Sequence, residues 1–180
     1  MLNKFIIFEG PDNVGKDTQI KLILKSLINF PTHIIHYTNI KDLTNKEIYD
    51  YNHKLYNDMF SICEKSNNRN LIFNRSHLGE YVYGYLYRKY DTEYIFEIEK
   101  SFSKKDFWKK LYLIVLIDTE ENLIKRDDGL SHSIDLDKKK CEITRFNELY
   151  QKTYIQNKIL IKGGNINEIN TKINEFLENK

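Results

Sequence analysis

Residues Glu9–Thr18 read EGPDNVGKDT, and their types and spacing suit one task, the holding of a phosphate. The run nearly satisfies G-x-x-x-x-G-K-[ST]. In that pattern a glycine-rich turn aims backbone N–H groups at phosphate oxygens, and the following helix adds the positive end of its dipole. Gly10 and Gly15 frame the turn, with Pro11, Asp12, Asn13 and Val14 between them. Gly15 lets the backbone approach closely, and Lys16 supplies a point charge for the terminal phosphates. The residue after the lysine is Asp17, where the pattern has a hydroxyl that ordinarily holds magnesium, and Thr18 follows. Three readings of Asp17 stay open. It ligates magnesium directly, as a hard oxygen ligand for a hard ion. It acts through a water, with Thr18 beside it. Or it is a first-turn carboxylate that suits the helix dipole.

Two further stretches carry groups of the right kind. FNRSHLGEYVYGYLYR, Phe73–Arg88, places Arg75 just past an apolar run, and a guanidinium there can grip a phosphate in bidentate fashion. Glu80 and Arg88 follow in the next helical segment. Its tyrosines, Tyr83 among them, offer flat faces and hydroxyls, although any one of them is better read as half-buried packing. DTEENLIKRDDGLSHSID, Asp118–Asp135, breaks a helical pattern with a polar, glycine-containing segment. A segment of this kind, around residues 126–136, reads as a lid that excludes water and brings a cation, Arg126 first and Lys125 second. Arg126 as a solvated cation at a helix C-terminus is the competing reading.

The elements that must position these groups follow from the apolar runs Lys4–Phe8, Asn70–Phe73, Leu111–Ile117 and Lys158–Ile161, with a weaker fifth at His33–Tyr37. Near-continuous runs suit strands buried on both faces of a parallel sheet. Between them, Ile20, Ile23, Leu24, Leu27 and Ile28 keep helical spacing, with the helix starting at about Lys16. Ile143, Phe146, Leu149, Tyr150 and Tyr154 form a second such face, and Ile166, Ile169, Ile173, Phe176 and Leu177 a third. Tyr81, Tyr83, Tyr85 and Tyr87 alternate as in a strand, but Tyr83, Tyr87 and Tyr90 share a helical face. A strand there would need a sharp reversal directly after Asn70–Phe73, so the spacing predicts helix. Alternating strands and helices predict an α/β fold with a covered parallel sheet and a ligand site beyond the carboxyl ends of the strands.

The 180 residues suit one domain spanning 1–180, with an ordinary globular composition of 41% hydrophobic and 30% charged residues. A formal net charge of +2 gives no general reason to expect stable nucleic-acid or membrane binding. Cys63 and Cys141 lie far apart, which argues against a disulfide framework or zinc site and for a reducing compartment. The N-terminal apolar run is too short for a signal peptide. The expectation is a cytoplasmic protein acting on small molecules.

These residues together resemble the thymidylate kinase-like branch of the P-loop nucleoside and nucleotide monophosphate kinases. FEGPDNVGKDTQ, Phe8–Gln19, resembles that family's first motif, E-G-x-D-x-x-G-K-[ST]-T-Q; FNRSHLGEYVYG resembles its D-R-[YFH] motif and substrate helix; LIVLIDTEENLIKRDDG resembles the strand and helix leading into its lid. The resemblance implies a three-layer P-loop kinase fold, a five-stranded parallel sheet with helices on both faces. It implies transfer of the ATP γ-phosphate, with Mg2+, to a deoxynucleoside monophosphate, dTMP-like or another pyrimidine one. ATP would lie along Gly10–Thr18, with Asp17 and Thr18 toward the metal. Asp12 would sit near the acceptor's sugar or phosphate, Arg75 would hold that phosphate, and Lys16 and Arg126 would stabilise charge on the transferring group. Glu80, Tyr83, Arg88, Tyr56 and Phe60 would complete the acceptor site, with Tyr81 shaping its base pocket. A homodimer packed through helices is also implied.

Four departures from the family pattern stand out. Asn74 replaces the aspartate of D-R, Asp17 replaces the hydroxyl, Asn13 puts no arginine in the loop, and HYTNIKD stands where F-P-x-R is expected, with Arg88 as a candidate replacement for the missing arginine. One carboxylate lost at Asn74 and one gained at Asp17 would leave the charge around the metal unchanged. Two other readings compete. Deoxynucleoside kinases carry E-R-S after the third strand, which FNRSHLGEYVY also resembles; their nucleoside 5′-hydroxyl needs a general base, and Glu9 is the candidate. A P-loop switch protein is the third reading, for which the chain shows no N-K-x-D at a strand end.

Overall fold

The computed structural model describes residues 3–37 and 43–178. Five strands, β1 (Phe5–Glu9), β2 (Thr32–His36), β3 (Asn70–Asn74), β4 (Leu111–Ile117) and β5 (Asn157–Lys162), form one sheet in the order β2-β3-β1-β4-β5. Every neighbouring pair is parallel. All five expected runs are strands. β1, β3 and β4 are buried throughout, while β2, at an edge, leaves Ile34 48% exposed. Three of its five residues are exposed, which matches the weakest apolar signal of the five.

The pleat builds the layers. Phe5, Ile7, Leu71, Phe73, Leu111, Leu113, Val115 and Ile117 point to one face of the sheet, and Ile6, Phe8, Ile72, Tyr112, Ile114 and Leu116 to the other. The first face packs against α2 (Asn45–Lys65), α3 (His77–Tyr83), α4 (Tyr94–Phe102) and α6 (Leu136–Lys152). The second packs against α1 (Lys16–Ile23), α5 (Glu120–Lys125) and α7 (Ile166–Glu178). The architecture is therefore the expected three-layer α/β fold.

Local chemistry sets the helix limits, and here the structure corrects the expectation. α1 stops at Ile23, because Lys25 and Ser26 N–H groups turn to carbonyls three residues back and the Ser26 hydroxyl also takes the Ile23 carbonyl at 2.8 Å. Leu27 and Ile28 thus lie beyond the helix, and Ile28 is 80% exposed. α2 and α4 were absent from the expected helices. α2 opens on a capping box in which the Thr44 hydroxyl accepts from Glu47 N and Glu47 accepts from Thr44 N. The tyrosine-rich stretch is helical: α3 runs into a π turn at Gly84–Arg88 and ends at Lys89, whose φ is +56°. Tyr90 falls outside that helix. Among the described residues no helix is long and apolar enough to cross a membrane. Of the HYTNIKD stretch, Thr38–Asp42 lies outside the described residues.

Candidate active site

The carboxyl ends of β1, β3 and β4 open onto one edge of the sheet, and the three chemical stretches begin there. Gly10 follows β1 at φ +144°, and a Cβ at that position would stand 2.1 Å from the Leu116 carbonyl oxygen, so the turn is wedged against β4. Asn13 and Gly15 also take positive φ, +64° and +94°, which rolls the turn into the N-terminus of α1. Lys16 is buried and donates to the Gly10 and Pro11 carbonyls at 2.8 and 2.7 Å. Burial, reinforced by the nearby Arg75 charge, brings its pKa down to about 7 against the pull of Asp12, Glu9 and Asp17.

Arg75 follows β3 at φ +72°, a left-handed conformation that costs a non-glycine residue about 1–2 kcal/mol. Its N–H still bonds the Phe8 carbonyl at 3.0 Å, and its guanidinium pairs with Asp12 Oδ1. Burial works against the Asp12 charge, but Arg75 outweighs it and holds the carboxyl below its usual range. The guanidinium also lies 5.6 Å from the centre of the Tyr83 ring.

Two cavities meet at this pair. One, of about 430 Å3, is lined by Asp12–Gln19, Asn74, Arg126 and the β5–α7 turn at Gly164 and Ile166. The other, of about 410 Å3, is lined by Tyr37, Asn52, Tyr56, Glu80, Tyr83, Arg88 and His132. Asp12, His36, Arg75 and Leu130 border both. Arg88 pairs with Glu80, whose carboxyl is raised by burial, with Arg88 opposing the shift.

Asn74 and Asp17, the two departures expected to be linked, touch: Asn74 Nδ2 donates to Asp17 Oδ1 at 2.5 Å. Asp17 and Thr18 are exposed on the first cavity. Among the described residues no group of three or more His, Cys, Asp or Glu side chains gathers as an all-protein metal cage. Magnesium is usually held by one or two carboxylates, substrate phosphates and waters. Asp17 and Thr18 beside a phosphate-sized loop fit that requirement.

The lid stretch has no regular structure between α5 and α6, and it lies against the phosphate loop. Asn13 Nδ2 donates to Asp127 Oδ1 at 2.9 Å and to Ser131 Oγ at 2.8 Å, and His132 N donates to Asp12 Oδ2 at 3.3 Å. Thus Asn13, where some relatives of the motif place a cation, ties down the lid. Arg126 caps α5, donates to the Asn122 carbonyl at 2.9 Å and pairs with Asp118, while still lining the first cavity.

Three expected site residues lie elsewhere. Phe60 is fully buried against His77, Phe102 and Trp108, in the core and not in a cleft. Tyr81 is buried toward α6, with Arg145 3.8 Å over its ring. Glu9, the candidate base, is 0% exposed, and its Oε1 accepts from Ser76 N, Ser76 Oγ and Gly79 N. Burial raises its pKa, and it lines neither cavity; it holds the β3–α3 junction in place. His36, Asn52 and His132 were missed. Asn52 and His36 carry no motif, and His132 sits in the lid sequence with nothing to mark its direction.

No protein-family model matches the chain, and no curated protein matches it in sequence. Solved structures do. The YorR protein of Bacillus subtilis, in complex with phosphorylated GDP, superposes with a TM-score of 0.67 at 20% identity, covering 97% of this chain and 96% of its own. Thymidylate kinase from Candida albicans gives 0.66 at 16% identity over 99% and 92% of the two chains. Deoxyadenosine kinase from M. mycoides with bound dATP gives 0.60 at 16% over 97% and 99%. The chain has the thymidylate kinase-like P-loop nucleotide kinase fold.

Proposed function

We propose that this single domain, residues 1–180, transfers the γ-phosphate of ATP to a deoxynucleoside monophosphate, dTMP-like or another pyrimidine one. The observation that carries the reading is the pair of similar-sized cavities separated only by a shared wall containing Asp12 and Arg75. ATP occupies the first cavity, its phosphates on the Gly10–Thr18 turn and Lys16. Asp17 and Thr18 would hold magnesium, which would supply charge neutralisation on those phosphates. The acceptor occupies the second cavity, between Tyr56, Tyr83, Glu80 and Arg88. Arg75 orients the acceptor phosphate, and the lid between α5 and α6 excludes water, with Arg126 turning from Asp118 toward the transferring group. Little covalent chemistry is asked of the protein, so positioning and electrostatics supply the rate.

The nucleoside kinase reading is favoured by the F-N-R-S sequence and by likeness to a deoxyadenosine kinase structure, but it asks for a base, and Glu9 is enclosed beneath Ser76 and Gly79. ATP consumption measured across nucleosides and nucleoside monophosphates separates the readings. Stimulation by monophosphates alone is expected. Stimulation by nucleosides alone supports the second reading, and stimulation by neither supports a nucleotide switch.

A further inference from the structure

The acceptor-side cavity holds two arginines, and each is already matched: Arg75 by Asp12, Arg88 by Glu80. A phosphate monoester brings about −1.5 to −2 charges near neutral pH. Among the residues lining this cavity, the remaining side chains that can gain positive charge are His36 and His132.

His132 is the better placed of the two. Its backbone N–H donates to Asp12 Oδ2, the other oxygen of the carboxylate that holds Arg75. Its ring centre lies 5.0 Å from those of both Tyr83 and Tyr87, and Arg75 lies 5.6 Å from the Tyr83 ring. Imidazole and guanidinium therefore border the same aromatic ring on one cavity. The residue is exposed at the cavity, and its hydrogen bond among the described residues is the backbone one, so the ring nitrogens can take a ligand.

We propose that His132 is the second phosphate-binding group of the acceptor cavity, a lid-borne imidazolium that joins Arg75 on the 5′-phosphate monoester. This rests on the monophosphate reading above. It gives the lid an acceptor-side duty: closure completes the phosphate site, in place of the arginine missing from HYTNIKD.

The surroundings set the proton balance. Partial desolvation of the ring between Tyr83 and Tyr87, with Arg75 and Arg88, lowers its pKa against the pull of Asp12 on the phosphate loop and Glu142 on α6. Tyr83 and Tyr87 flank the ring, Lys139 is paired with Glu142, and Lys138 Nζ lies 6.0 Å from the centre of the Tyr87 ring. The free imidazole is thus neutral near neutral pH, and a bound phosphate draws a proton onto it.

The test is calorimetric titration of the full chain, without ATP, with each common deoxynucleoside monophosphate and its nucleoside. Two buffers of different ionisation enthalpy near neutral pH report proton uptake. The wild type takes up a proton fraction on binding a monophosphate. His132→Gln, which cannot be charged, loses that uptake and binds the monophosphate about tenfold more weakly, while its melting profile and affinity for ATP are unchanged. His36→Gln keeps the proton uptake. Undiminished uptake in His132→Gln, or its loss in His36→Gln, overturns the assignment to His132. A wild type that binds nucleosides and no monophosphate overturns both this inference and the proposed function.

Discussion

The contact between Asn74 and Asp17 makes the paired departures a measurable quantity. Asn74→Asp replaces the amide that donates to Asp17 with a second carboxylate at the same place. Two unit charges about 4 Å apart repel by about 1 kcal/mol in water and about 4 kcal/mol at an effective dielectric of about 20. Asp17 is exposed and Asn74 is 3% exposed, so the cost lies between these limits. Losing the hydrogen bond adds about 1 kcal/mol. Without divalent cations and at low ionic strength, Asn74→Asp should therefore cost about 2–5 kcal/mol in urea unfolding. Asp17→Ser should cost about 1 kcal/mol, the hydrogen bond from the buried Asn74 amide. The double variant should recover most of the loss, a coupling of about 1–3 kcal/mol in a double-mutant cycle. Magnesium should restore the single variant, because two carboxylates then share a cation. Manganese bound with ATP, followed by its paramagnetic resonance, should be retained by the double variant and weakened in Asp17→Ser. An additive cycle, or a double variant that binds no manganese, would refute the idea that one carboxylate has moved between the two positions.

Other outcomes follow from the phosphate loop. Lys16 has its pKa depressed to about 7 in the free protein, against an ordinary value of 10.5. The unfolded chain then binds the extra proton between these values, so this residue opposes folding near neutral pH and less so as pH rises. Lys16→Met should raise stability near pH 7 while abolishing ATP binding, and wild-type affinity for ATP should weaken as pH climbs above about 7; pH-independent affinity would contradict this. Gly10→Ala drives a Cβ to 2.1 Å from a backbone oxygen, and should lower the melting temperature by about 6–12 °C for a loss of about 3 kcal/mol. Gly15→Ala meets nothing within 4 Å, and should cost only about 1 kcal/mol of backbone strain while sharply reducing ATP affinity.

What the sequence made legible was whatever rests on local pattern. The five strands are buried runs, and the phosphate loop is fixed by two glycines and a lysine whose conformations the turn demands. α2 escaped because Asn52 occupies part of its buried face and Tyr, Asn and Lys dilute its apolar period, although Thr44 and Glu47 announce its start. Ile28 misled in the opposite direction: its spacing continues α1, but Ser26 ends the helix. The errors at Phe60 and Tyr81 have one cause. An aromatic ring on a helix looks the same in sequence whether it faces a cleft or the core. Glu9 and His132 depend on partners dozens of residues away, Ser76 and Gly79 for one and Asp12 for the other, and pattern carries no such pairing.

The wall shared by the two cavities has a thermodynamic corollary. Asp12 and Arg75 form a single partition, so if a ligand that repositions either one changes affinity on the other side, a ligand on that side must change the first one's affinity by the same free energy. Two nucleosides joined through a polyphosphate of suitable length would gain from both compartments at once. The second end would bind at an effective concentration set by the tether and not by bulk solution. On the proposed reading the partition would make the protein a measuring device for tether length, with affinity peaking where the phosphate chain just spans it.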